Sequence, residues 1–185
     1  YVMDNEALSA SDFTQFSVAA PSDSRLPDGG GQRVTGLYNV TTAGLVRPPN
    51  NLLTFAKNYG KQVENWQGID ASLNARVQGG VLVQGGISSG RTLTDSCDIR
   101  SAVPESAVLN PYCRVVTPYL TQFKLLGSYT IPRADVLLSG TLQSIPGPQV
   151  IGNLVYTSAQ IEPSLGRPLA GATVAQINVV TPGDM

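Results

Sequence analysis

Residues 69–77 alternate without a break. Ile69, Ala71, Leu73, Ala75 and Val77 occupy one register, and Asp70, Ser72, Asn74 and Arg76 the other. A period of two places successive side chains on opposite faces of a strand, so this stretch specifies a strand with one apolar and one polar face. Gln78-Gly79-Gly80 then reads as a tight turn. The next strand sets Val81, Val83 and Ile87 against Gln84, Gly86, Ser88 and Gly90. The pattern recurs from Tyr119, with Phe123, Leu125, Tyr129 and Ile131 against Gln122, Lys124, Ser128 and Thr130. After Pro132-Arg133-Ala134, Val136, Leu138, Gly140 and Leu142 oppose Asp135, Ser139, Thr141 and Gln143, and Pro146-Gly147-Pro148 ends the run. The expectation is an all-β chain with antiparallel hairpins at 64–93 and 119–143.

The connections carry as much information as the strands. Both tight turns fall at one end of the expected sheet. The long polar segments 1–61, 94–118 and 144–185 fall at the other. Transmembrane β-barrels have this asymmetry of short and long loops, with strands of about ten residues alternating apolar-out and polar-in. The polar faces also suit a lumen, because they carry Ser, Thr, Asn and Gln with few charges. The hairpins therefore read as part of a transmembrane β-barrel, with the three long segments as external loop regions. Short apolar pieces at 13–18 and 34–40 could be brief strands. Solute contact is expected from lumen positions Asp70, Asn74, Arg76, Gln84, Gln122 and Lys124. A soluble β-sandwich shows the same alternation, and makes the alternative a secreted or surface β-rich binding or structural module.

Composition narrows the function classes. Charged residues make up 14% of the chain, against about 25% in ordinary soluble proteins. The net charge of −1 offers no basic stripe, which argues against nucleic acid as a partner. No apolar run is long enough for a membrane-spanning helix. Cys97 and Cys113 lie in one polar segment. They are either two free thiols or, as preferred here, a disulfide stapling the middle loop, worth about 3 kcal/mol in the chain-entropy account and implying an oxidising location. The chain opens at Tyr1 rather than Met and reads as processed, trimmed or partial.

Residues 86–90 spell G-x-S-x-G, the pattern of a serine-hydrolase nucleophile elbow. The elbow needs a strand, a sharp turn at the serine and then a helix, whereas Ser88 falls inside an alternating strand. A serine hydroxyl also needs a base to take its proton, and the chain has no histidine. No enzyme activity and no cofactor are expected. Asp4, Asn5 and Glu6, or Asp95 and Asp98, are the nearest approach to a Ca²⁺ loop, but they do not match an EF-hand, and no metal is expected. Asn39-Val40-Thr41 is a glycosylation sequon of the kind that arises by chance. Trp66, Tyr119 and Tyr129 lie towards strand ends, as an interfacial aromatic girdle or as ordinary cross-strand packing.

Several stretches together resemble the C-terminal barrel region of TonB-dependent-receptor-like outer-membrane proteins, of the type that carries a carboxypeptidase-regulatory-like domain. They are Ser11-Asp12-Phe13-Thr14-Gln15-Phe16, residues 25–31 (RLPDGGG), residues 36–40 (GLYNV), residues 58–62 (NYGKQ), residues 84–92 (QGGISSGRT), residues 124–130 (KLLGSYT), residues 143–148 (QSIPGP) and residues 163–167 (PSLGR). The resemblance spans nearly the whole chain. It implies a bacterial outer-membrane location, a many-stranded barrel around a plug, and solute uptake energised through the TonB system. Four strands are fewer than the eight or so that close the smallest bacterial barrels, and neither a plug nor a TonB box is visible. The expected partners are outer-membrane lipid and, through the open strand edges, the remainder of the chain's own barrel or other copies.

Overall fold

A computed structural model describes residues 1–183; Asp184 and Met185, the end of the expected 144–185 loop region, lie outside the described residues. In chain order the elements are β1 (Val2–Asn5), β2 (Phe13–Ala19), β3 (Arg33–Val40), α1 (Thr42–Leu45), β4 (Asn51–Thr54), β5 (Val63–Val77), β6 (Val81–Asp95), α2 (Cys97–Ala102), β7 (Arg114–Val116), β8 (Leu120–Ile131), β9 (Val136–Ser144), β10 (Asn153–Thr157), α3 (Ser158–Leu165) and β11 (Val174–Asn178). The fold is mostly β, 49% strand and 17% helix, with antiparallel sheets. No helix among the described residues is long and apolar enough to cross a membrane, which does not bear on crossing by strands.

The chain divides into two compact units. One, Asn65–Leu93 with Val116–Pro148, is an open sheet in the order β5-β6-β8-β9, with β7 also paired to β6. Its register runs Val81↔Tyr129, Val83↔Gly127 and Ile87↔Phe123 between β6 and β8. Between β8 and β9 it runs Ile131↔Val136, Tyr129↔Leu138 and Leu125↔Leu142. The turn after β5 uses two glycines at positive φ, Gly79 at 92° and Gly80 at 86°. A Cβ on Gly80 would also fall 3.0 Å from Thr130 O, so the hairpin demands glycine there for space as well as conformation. The turn after β8 places Asp135 at φ 50° and closes with Asp135 N donating to Ile131 O at 3.0 Å. The pairing of Val81 with Tyr129 and of Ile131 with Val136 puts both tight turns at one end of the sheet.

The two faces of this sheet follow the sequence alternation. The register groups Val81, Val83, Ile87, Phe123, Leu125, Tyr129, Ile131, Val136, Leu138 and Leu142 on one face. Among the described residues of this unit, only Gly90 is buried. On the apolar face Ile69 is 77% exposed, Leu142 59% and Leu138 57%, while Leu137, paired with Thr130 on the opposite face, is 62% exposed. At about 25 cal/mol per Å², apolar side chains left this exposed contribute little to folding in water.

The other unit combines residues 1–64, 94–115 and 149–183. These are the segments expected as external loops. They fold instead into three strand pairs, β1-β4, β2-β3 and β10-β11, with helices between. The brief strands expected at 13–18 and 34–40 are present as β2 and β3. Phe16 pairs with Leu37 and Val18 with Val34. Gly36, at φ 76°, lies in the bulge between those pairs. The main core packs Phe16, Val18, Val34 and Leu37 against Tyr156, Ile161, Leu165, Ala175, Ile177 and Val179. A second core joins Val2 and Ala56 to Ile99 and Val103 of the disulfide loop.

Polar bonds knit the three segments of this unit. Tyr156 Oη donates to Ala19 O at 2.9 Å, Gln32 Nε2 to Val179 O at 2.8 Å and Tyr38 N to Val108 O at 2.8 Å. Arg167 donates to Asn39 Oδ1 at 2.7 Å and to Val40 O at 2.9 Å. The Cys97–Cys113 disulfide is present, linking residues 16 apart in sequence.

Candidate functional site

The polar face of the open sheet is built by the same parity as its apolar face. Gly86 pairs with Lys124 and Ser88 with Gln122, so these four share a face; Lys124 and Leu126 in turn pair with Gln143 and Thr141 of β9. A Cβ added to Gly86 would lie 3.7 Å from Ser72 Cβ, which places the even positions of β5 on that face too. Asp70, Asn74 and Arg76 belong there by the alternation. The face holds a shallow groove of about 410 Å³, lined by Ser72, Gln84, Ser88, Gln122, Lys124, Thr141 and Gln143 together with Leu125, Leu126 and Leu142. Gly86 leaves its floor as bare backbone, since a side chain there would press on Ala71 O at 2.9 Å.

Three of the six expected lumen residues, Gln84, Gln122 and Lys124, therefore line one groove. Asp70, Asn74 and Arg76 stand exposed on the neighbouring strand and are not among its lining residues. Alongside the three leucines, the groove's amides and hydroxyls can both donate and accept hydrogen bonds. Lys124 is its one charged lining residue.

Trp66 takes the second of the two places that the sequence left open, cross-strand packing. The indole lies over Gly90, which it buries, and over Gly68 of its own strand. A Cβ on Gly90 would fall 2.5 Å from Trp66 Cε2. Gly90 follows Gly86 and Ser88 at even spacing, so the ring lies on the polar face and not in an outward girdle. It remains 51% exposed. The signal was legible as W-x-G, with glycine two positions on and a second glycine across the hairpin, a pairing in which an aromatic ring covers backbone that lacks side chains. Tyr129 lies on the apolar face, 41% exposed; Tyr119, just ahead of β8, is 57% exposed, with the Arg91 guanidinium 5.2 Å from its ring centroid.

The other chemistry-bearing positions serve the framework. Ser88 lies mid-strand in β6, which continues to Asp95, so no sharp turn or following helix presents its hydroxyl. Asp4 accepts from Tyr59 Oη at 2.5 Å, Asn5 Oδ1 from Asn50 N at 2.9 Å and Glu6 Oε2 from Asn50 Nδ2 at 3.1 Å. Asp95 Oδ1 accepts from Cys97 N at 3.1 Å and Asp98 Oδ2 from Lys61 N at 3.0 Å. No group of three or more acidic, Cys or His residues is arranged to hold a metal ion among the described residues. Asn39 of the sequon is engaged through both side-chain atoms, accepting from Arg167 and donating to Ala170 O at 3.3 Å.

Electrostatic shifts fall on the unit with the buried cores. The Asp4 hydrogen bond, then burial, then the charges of Asp4, Glu6 and Glu105 push the Tyr59 hydroxyl up to about 12. Ser9, donating from its backbone N–H and its hydroxyl, holds the buried Asp12 carboxyl below its ordinary range; Arg47 adds to this from 2.8 Å. Arg25 lowers Asp23 to about 2. Burial lowers Arg100, whose guanidinium donates to Gly36 O and stacks on Tyr38 with its carbon 5.2 Å from the ring centroid.

No family model matches the chain, and no curated protein or solved structure matches it either.

Proposed function

We propose that the open sheet is a section of the wall of an outer-membrane β-barrel of the TonB-dependent-receptor type, engaged in solute uptake. The observation that carries this reading is the sheet's pair of unlike faces. One is apolar and exposed along its length, the other is polar and grooved, and both tight turns lie at one end. Water is a poor solvent for the first face and lipid for the second. A wall between lipid and an aqueous lumen gives each its preferred surroundings. The free edges of β5 and β9, unpaired among the described residues, are where such a wall continues, into the rest of its barrel or into other copies. The Arg91–Tyr119 pair at the end far from the tight turns suits the headgroup level, where aromatic and cationic side chains gather. In this reading the other unit is a folded external domain stapled by Cys97–Cys113.

The cores of that second unit favour a second reading, a secreted or surface β-rich module that binds or assembles without a membrane. Detergent separates the two. The barrel reading expects the purified chain to associate or precipitate in water and to disperse with intact β-structure in a non-ionic detergent. A monomer that unfolds cooperatively without detergent would select the module.

A further inference from the structure

We infer that the polar face is a binding site for a neutral oligosaccharide, with Trp66 as its stacking platform. The inference rests on the lumen reading for the access that this face enjoys in an assembled wall. Its chemistry comes from three features of the face itself. The first is the indole, whose one side lies on Gly68 and Gly90 and whose ring is half exposed. An aromatic face carries negative quadrupole charge and attracts the weakly positive C–H face of a pyranose ring. Backing by glycine backbone holds the plane still, so little side-chain entropy remains to be lost on binding.

The second feature is position. Ser88, on the groove wall, stands two residues from the buried Gly90, or about 7 Å along the strand. From Gly90 to Gln84 is about 20 Å at strand rise, room for several pyranose units laid along β6. The third feature is the lining. Gln84, Gln122 and Gln143 each present a donor and an acceptor, and Ser72, Ser88 and Thr141 add hydroxyls. Vicinal diols need such paired groups, at a spacing that amides supply. An anion would call for several cations, and Lys124 is the one that lines the groove.

Trp66 is the chain's only tryptophan, so its fluorescence reports on this site alone. The test is a titration of the detergent-dispersed full chain with maltohexaose and, separately, cellohexaose. Binding is read from Trp66 emission and from calorimetry. One of the two glucans should give a saturable change in emission. Trp66→Ala should weaken calorimetric binding by about thirtyfold, the scale of a buried aromatic hot spot. Gln122→Ala should weaken it by several-fold, and 0.5 M NaCl should leave it unchanged. No spectral or calorimetric response at millimolar glucan from a chain with its β-structure and disulfide intact overturns the inference. So does a response to citrate that disappears in Lys124→Ala, because the ligand would then be an anion. A saccharide response from a chain monomeric in water keeps this site and removes the barrel. Quenching of Trp66 by brominated lipid in bilayers removes the site and, with it, the assignment of the polar face to water.

Discussion

Truncation of Ile177 to alanine tests where the folding energy of this chain resides. Ile177 is fully buried in the main core, in β11, among Phe16, Leu37, Tyr156 and Ile161. Ile177→Ala removes three carbons, about 2.4 kcal/mol in lost transfer energy at 0.8 kcal/mol each. The cavity left behind raises the total to about 3–4 kcal/mol. At about 4 °C per kcal/mol for a folded unit of this size, the transition should fall by about 12–16 °C. Near-UV circular dichroism in the tyrosine band is the fitting assay, because Tyr156 is buried in the same core and held by Ala19 O. The matched control is Ile69→Ala in β5, the same deletion at a side chain 77% exposed, with an expected change within about 0.5 kcal/mol. Equal effects of the two substitutions, or a shift below about 3 °C for Ile177→Ala, would refute the assignment of the cores.

Cys97→Ser with Cys113→Ser should destabilise the chain by about 3 kcal/mol in denaturant titrations, since the bridge closes a loop across a separation of 16 residues; an unchanged midpoint would contradict this. Tyr59 holds its proton more tightly when folded, at about 12, than a free phenol at about 10. Its contribution is therefore whole below pH 10 and lost as pH rises towards 12. Tyr59→Phe should lose less stability than the parent across that window, and parallel losses would count against the Tyr59–Asp4 bond. Gly90→Val should lift the indole off its seat and shift Trp66 emission to the red, because a Cβ there enters the ring. Gly127→Ala, with nothing within 4 Å of its Cβ, should leave emission and stability unchanged.

The hairpins were legible in the sequence because their strands are long and two-faced. Ile69 to Val77 announces its pairing side without reference to anything distant. The fold of the remaining segments was not legible, for the opposite reason. β2 and β3 are short, and their core residues Phe16 and Leu37 meet partners such as Ile161 and Ile177, more than a hundred residues further along the chain. Local periodicity carries no record of such contacts. α3 left a signal that another residue masked. Thr157 and Gln160 form a capping pair, with Gln160 Oε1 accepting from Thr157 N at 2.8 Å, and Gly166 ends the helix at φ 77°. Pro163 inside the helix reads as a breaker. The face bearing Gln84, Gln122 and Lys124 followed from parity alone. For Trp66 the choice between girdle and cross-strand packing turns on two glycines, Gly68 in W-x-G and Gly90 across the hairpin, and hydrophobic alternation alone does not weigh them.

The central claim, that one face of the sheet meets lipid and the other water, is tested most directly by a tryptophan scan along β9. Single tryptophans at 136 to 143 in a Trp66→Phe background would be reconstituted into bilayers and exposed to brominated lipid and to aqueous iodide. Positions 136, 138, 140 and 142 should be quenched by the lipid and positions 137, 139, 141 and 143 by iodide, alternating with the register that sets Leu138 opposite Tyr129 and Ser139 opposite Ser128. Quenching by iodide at every position, with no alternation, would contradict the account.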